Sequence, residues 1–445
     1  WTLPVAGLTK NDVTVTLNEV DHKGFNVSQD GNDSKFTFSQ QMVFQANPDG
    51  LEKTSEIVIT IKPGAQSLGV TDELKGKFYD YSTLAETLSS PRIFRMPNKD
   101  APDTDPKDDI YVAVMGAGQS TTNKYAGSSV FVINLEDTTH IGKIEKKIAL
   151  IDLAGNGVNS STPATPTVVT ADTGTSGIRF RGALVYQPDF EGKITKINLT
   201  NMKCDNGYLE GDCPVGSKEI KRYDSTVLFN AGANITNQRY MYHALDASIG
   251  GATSGLWLFN STGNFDRIND TSPGVDNLLF GIRDKDFPKF KKINEGDTVD
   301  DIDNITNCKN TTNDETGEDC PDNSKRGWYI HLKDFAKGSA EATVFAGQVY
   351  YPIYKPDDTD QCSTGKAYIC AVDDECGTNK SINDLNADDS AANTNRCKVV
   401  GTGILSRIVV FANKLFANLS GNKEDEDDMI SIKSGVLDSE SVRDT

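Results

Sequence analysis

Histidine is scarce in this chain, long apolar runs are missing and positive charge is outnumbered; each shortage removes a class of function. Only four histidines occur, His22, His140, His243 and His331, and none flanks two cysteines. Finger- and ribbon-type zinc sites need CxxC spacing or cysteine beside histidine, so structural zinc is not expected. With no GxSxG elbow either, nothing points to nucleophilic catalysis. His331, in the alternating stretch GWYIHLKD, reads as a packed or surface histidine and not as a base. Three tryptophans (Trp1, Trp257, Trp328) and no adjacent cysteine pair speak against a quinoprotein dehydrogenase. The expectation is a protein that is not an enzyme.

No run of about 18 uncharged apolar residues occurs, so no membrane insertion is expected. The hydrophobic share of 37% over 445 residues suits one large soluble domain or two moderate ones. Trp1 is followed by neither a basic nor an apolar leader region, so the chain reads as mature or trimmed. Against 64 acidic residues stand 45 basic ones, a net charge of −19. That field repels phosphate backbones and anionic lipids, which excludes nucleic acid and membrane surfaces as partners and leaves cationic partners and metal ions open.

Cysteine is better supplied. Eight cysteines fall as four sequence-close pairs in polar surroundings: Cys204 with Cys213, Cys308 with Cys320, Cys362 with Cys370, and Cys376 with Cys397. They read as loop-closing disulfides in an oxidising compartment, although Cys362, Cys370 and Cys376 lie close enough in sequence to pair otherwise.

A repeated unit runs along the chain: a small-residue or Ser/Thr-Pro turn, an apolar strand, a polar turn and a second strand. It recurs at 88–118, 160–199, 235–265, 338–356 and 404–421, with a weaker copy at 35–62. VFVINL, KITKINL, GLWLFN and AYICAV are rich in β-branched and aromatic residues and bounded by Gly, Asn, Asp and Pro, which marks strands. Helical periodicity is scarce; residues 71–88 could form a short helix, but Gly76 interrupts them. The fold class is all-β, a β-propeller of six to seven four-stranded blades with long disulfide-closed loops. Residues 1–45 read as a divergent lead-in or partial first blade, 46–421 as the propeller, and 422–445 as an acidic, solvated tail in which MISI could return as a strand.

Four stretches carry a further signal. They are IYVAVMGAGQSTTNKYAGSSVFVINLED (110–137), the 155–199 stretch with Asp189 and Gly192 of DFEG, SGLWLFNSTGNF to GIRDKD (254–286) with Thr262, Gly263, Asp270, Gly281 and Asp284, and 326–377 with Trp328, Pro356, Cys362 and Gly365. In order and spacing they resemble the C-terminal propeller of the PilC/PilY proteins, tip-associated adhesins of bacterial type IV pili. The resemblance covers about 90–421. It implies an extracellular, pilus-associated protein that supports assembly, opposes retraction and mediates adhesion, with minor pilins at the pilus tip and a host or abiotic surface receptor as partners. The alternative is a secreted carbohydrate- or surface-binding propeller unrelated to pili, for which Tyr350, Tyr351 and Tyr354 could form a stacking shelf if they were not core.

No cofactor is expected apart from a calcium ion, which the sequence leaves open. The loop at which some PilC/PilY members bind calcium reads ADTGTSGIRF here, where only Asp172 and Ser176 offer side-chain oxygens. Asp384, Asn386, Asp388 and Asp389 have a better DxNxD start, but lack the glycine at position six and the glutamate at twelve. Asp297, Asp300, Asp301 and Asp303 read as a solvated loop. The chain holds about eleven N-x-Ser/Thr sequons, among them Asn198, Asn234, Asn260, Asn304, Asn310 and Asn418, which read mainly as composition.

Overall fold

β-branched and aromatic runs that alternate in side-chain direction can pair on both edges and pack on both faces, and in this protein they do both. The computed structural model describes residues 2–433 outside the stretches 39–55, 63–73, 97–108, 151–157, 171–181, 201–222, 307–325, 379–395 and 422–428 and a few shorter ones. Among the described residues there is no α-helix, only single helical turns such as Phe265–Arg267.

Seven sheets form, the first two interleaved along the chain and the other five in succession. The first joins Thr2–Leu3, Phe25–Asp30 and Asp33–Phe38; the second joins Val20–Asp21, Val13–Leu17, Glu56–Ile61 and Leu74–Tyr79. From the third onward the main strands of each form an antiparallel meander in chain order, the unit of a propeller blade, and the fourth and fifth each add a short parallel edge strand, Asp297–Thr298 beside Ser225–Asn230 and Asp303–Asn304 beside Gly327–His331. The third holds Arg92–Met96, Ile110–Gly116, Ser129–Asn134 and Ile144–Ala149. The fourth holds Thr167–Val169, Leu184–Pro188, Lys193–Asn198 and Ser225–Asn230, and the fifth holds Asp246–Ile249, Leu256–Ser261, Leu278–Asp284 and Gly327–His331. The sixth comprises Thr343–Phe345, Gln348–Lys355, Lys366–Asp373 and Cys397–Thr402, with Lys337–Gly338 also on its second strand. The seventh has three strands, Val409–Phe411, Lys414–Asn418 and Met429–Lys433.

Face-to-face stacking makes the third to seventh of these sheets successive blades of a β-propeller. Leu184 and Tyr186 pack toward the fifth sheet while Val185, between them, packs toward the third. Leu256 and Leu258 share a core with the fourth sheet, and Trp257 and Phe259 share one with the sixth. Tyr351 and Tyr368 face the fifth sheet, Tyr350 and Ile369 the seventh. Successive residues thus serve different cores, and the second and third strands of these sheets are buried almost throughout. The leading strands are more open and are tied to their neighbours by side chains. Ser90 N donates to Thr165 Oγ1 at 2.9 Å, Thr167 Oγ1 to Leu245 O at 2.7 Å, Val344 N to Asp246 Oδ2 at 2.7 Å, and Thr343 Oγ1 to Ile408 O at 2.8 Å. The Ser/Thr-Pro segments that mark the repeat in sequence supply several of these ties.

One expectation changes, and two readings that the sequence left open are decided. Val13–Leu17 pairs with Glu56–Ile61, so one sheet joins residues on both sides of position 45. Leu74–Tyr79 is a strand through Gly76, because pairing with Glu56–Ile61 outweighs the weak local helical preference. In the acidic tail, Met429–Lys433 pairs with Lys414–Asn418, where the apolar MISI gives the open edge a partner.

Candidate contact surface

The motif residues lie at the joints between strands and sheets. Gly192, at φ 74°, closes the turn that follows Asp189, and Lys193 N donates to Asp189 Oδ1 at 3.0 Å. Lys193 Nζ donates to Ser160 Oγ at 2.9 Å and pairs with Glu191 and Asp189, all of them fully buried. Burial pushes the Asp189 carboxyl up to about 6, against the pull of the Lys193 charge and with the push of Glu191. Between the fourth and fifth sheets, Lys196 Nζ meets Asp284 Oδ2 at 2.6 Å and the Tyr186 hydroxyl donates to the same oxygen at 2.7 Å. Burial, then the Asp284 charge, raise Tyr186 well above its ordinary range. Gly281 lies under the Trp328 indole: a Cβ there would meet the ring at 2.8 Å. Thr262 Oγ1 accepts from Leu278 N at 2.9 Å, and Gly263 N donates to Tyr240 O. These residues hold the scaffold, so contact chemistry has to be sought on the loops.

At one end of the stack, the connections between third and fourth strands of the fourth, fifth and sixth sheets comprise 199–224, 285–326 and 374–396. They contain Cys204, Cys213, Cys308, Cys320 and Cys376. Two of them leave the scaffold together. Arg396, fully buried, donates from Nη2 to Ile305 O at 3.0 Å and from Nη1 to Thr306 O at 3.3 Å, and burial lowers its guanidinium to about 10. Trp328 Nε1 donates to Asp374 O at 3.2 Å. Beside them a disulfide joins Cys370 to Cys397. This corrects the pairing of nearest cysteines in sequence: Cys370 and Cys397 stand opposite each other on adjacent strands, and strand register outranks sequence proximity. Cys376 is half-buried in the turn after Asp373, its amide donating to Asp373 Oδ1 at 2.9 Å. Cys204, Cys213, Cys308, Cys320 and Cys362 lie outside the described residues, as do Asp172, Ser176, Asp384, Asn386, Asp388 and Asp389.

The aspartates at 297–303 are engaged locally. Asp297 pairs with Arg326 at 3.1 Å and Asp301 caps Thr298 N at 2.8 Å. Several sequons prove to be turns. Asn198 Oδ1 accepts from Thr200 N at 3.1 Å, Asn234 Oδ1 from Thr236 N at 2.9 Å, and Asn304 Oδ1 from Thr306 N at 3.1 Å. Asn198 and Asn260 are fully buried. Tyr350, Tyr351 and Tyr354 are buried too, so they form no shelf.

The opposite end carries an aromatic strip that sequence reading missed. Phe190 packs on Tyr242 (centroids 4.4 Å apart) and on Tyr240 (5.5 Å), and Tyr242 lies 6.2 Å from Phe265. The Tyr242 hydroxyl donates to Asp266 Oδ2 at 2.9 Å, and burial raises its pKa. Beyond it, residues 266–273 line an open depression of about 720 Å³. Its loop is anchored from the connection that precedes the fifth sheet and from the sixth sheet. Gln238 Nε2 donates to Asp270 Oδ2 at 2.8 Å, Lys337 Nζ to Asp270 O at 2.7 Å, and Tyr354 OH to Asn269 Oδ1 at 2.5 Å. Burial would raise Asp270, but hydrogen bonds from Gln238 and Ser272 hold it at about 2. Burial lowers Lys337 to about 8 and His243, edge-on to Phe265, to about 4. The sequence signal was the alternation of aromatic and polar residues in QRYMYHAL, which gives no clue to the facing loop.

Sheets stacked face to face through shared cores, with long connections at one end, define a β-propeller. No protein-family model matches the chain and no curated protein matches it. Among solved structures it is similar to the Pseudomonas aeruginosa PilY1 C-terminal domain, with 15% identity and a TM-score of 0.46 over 89% of this chain and 81% of that one. A second neighbour is BBS1N in complex with ARL6DN, soaked with lead, at 10% identity and a TM-score of 0.24 over 84% of this chain and 86% of the other.

Proposed function

We propose that this chain is an extracellular protein associated with the type IV pilus, where it supports pilus assembly, opposes retraction and attaches the cell to surfaces. The observation that carries this reading is the succession of PilC/PilY-like motifs from 110 to 377, in family order. A stiff stack of sheets suits the role, since loops on a rigid scaffold lose little freedom on contact. The Cys370–Cys397 bridge supports export to an oxidising compartment. The protein acts by binding and not by catalysis. In this reading, the insertions rooted at Ile305, Thr306, Asp374 and Arg396 face the surface receptor, while minor pilins at the pilus tip dock on other sheets. Deleting the gene and counting surface pili and attached cells tests the proposal: both should fall, and normal piliation together with normal adhesion would refute it.

A further inference from the structure

We infer that the loop between the second and third strands of the fifth sheet, with the aromatic strip beside it, is a binding site for neutral, hydroxyl-rich glycans. The depression of about 720 Å³ matches small-molecule sites in size, about 300–1,000 Å³, but it is open and polar where those are mostly enclosed and apolar, which suits a hydrated ligand over an apolar one. Its wall is polar and mixed in kind: Asp266, Arg267, Asn269, Thr271 and Ser272 offer carboxylate, guanidinium, amide and hydroxyl groups from one loop. Such planar and hydroxyl groups, closely spaced, satisfy vicinal sugar hydroxyls in pairs.

Charge narrows the ligand. The Asp270 carboxylate accepts from Gln238 Nε2 and Ser272 N, with the Lys337 ammonium held on the Asp270 carbonyl, and the exposed Asp266 carboxylate, which accepts from the Tyr242 hydroxyl, stands beside the exposed Arg267 guanidinium. A balanced wall favours neither a polyanion nor a basic peptide. Immediately before the lining residues in sequence comes Phe265, 37% exposed although Tyr242 and His243 pack against it. An aromatic ring held by neighbours and open to solvent is a platform for the apolar face of a pyranose.

The loop is also built before any ligand arrives. Gln238 and Lys337, both buried, and Tyr354 fix Asp270 and Asn269; Arg239 Nε donates to Asp276 O at 2.9 Å, and Asp276 N donates to Asn237 O at 3.1 Å. A loop held by five such bonds from neighbouring segments pays little ordering entropy on binding.

The test is a glycan array printed with neutral, sialylated and sulfated oligosaccharides and probed with the labelled full chain, alongside Phe265→Ala and Arg267→Ala. Arg267 is exposed, so Arg267→Ala should melt with the wild type, while Phe265→Ala also loses its packing on Tyr242 and His243 and is therefore compared with Phe265→Leu, which keeps the bulk but not the ring. The expected result is signal on neutral glycans that falls about tenfold or more in each variant. A blank array, signal confined to charged glycans, or signal unchanged in both variants would each overturn the proposal. A blank array combined with Phe265-dependent capture of a basic peptide panel would assign the surface to a protein partner instead.

Discussion

Removing Asp284 should cost this protein more than any single surface change, and the structure sets the size. Its Oδ2 receives Lys196 Nζ at 2.6 Å and the Tyr186 hydroxyl at 2.7 Å, and its Oδ1 receives Asp286 N at 3.1 Å. Asp284 and Lys196 are each about 1% exposed. In Asp284→Ala the lysine is left buried between two sheets with the Lys289 carbonyl, 2.7 Å away, as its remaining described acceptor. Breaking a buried pair from one side costs about 3–5 kcal/mol, whereas replacing both partners by apolar residues of similar volume is often neutral or better. Lys196→Met with Asp284→Leu should therefore recover part of what Asp284→Ala loses, the buried Tyr186 hydroxyl staying without its acceptor. Urea unfolding followed by tryptophan fluorescence measures both, with Trp257 and Trp328 reporting from the adjoining core. A loss below about 1 kcal/mol in Asp284→Ala, or a double variant no better than the single one, would refute the reasoning.

Other expectations follow from the same geometry. Asp189 has a folded-state pKa raised from 3.8 to about 6, so between these values the folded chain binds more protons than the unfolded one. Stability from this group is lowest above pH 6, rises as pH falls through about 6 and levels off below about 4, a gain of roughly 3 kcal/mol. Melting temperatures across that window should show the rise in the wild type but not in Asp189→Asn. Gly281→Ala forces a methyl against Trp328 and Phe259 and should cost about 1–3 kcal/mol, read as a lower urea midpoint. The Cys370–Cys397 bridge spans 27 residues, so Cys370→Ala with Cys397→Ala should lose about 3.5 kcal/mol, and a non-reducing peptide map of the wild type should show that pair linked.

Strand positions and the repeat were legible because β-branched alternation and Ser/Thr-Pro turns are local signals. Which face of a strand meets which core was not. In QVYYPIYKP both faces are covered, so hydropathy could not separate Tyr350, which faces the seventh sheet, from Tyr351, which faces the fifth. The Cys370–Cys397 pairing depends on strand register, and the Phe265 loop depends on segments more than 20 residues away; neither is written in spacing. The lysines and carboxylates at 189–196 look like solvated charges in sequence, yet they are buried because their partners come from neighbouring turns and sheets.

Strands apolar on both faces raise a problem of error correction. If Leu256–Ser261 slid by one residue, apolar side chains would still enter both cores, so burial alone cannot detect the mistake. The features that can detect it are the ones that tolerate no substitute: Lys196 needs Asp284 opposite, and Trp328 needs the bare backbone of Gly281. The stack therefore carries its own proofreading marks, and the apolar double variant at 196 and 284, though stable, should fold to a mixture of registers where the wild type reaches one.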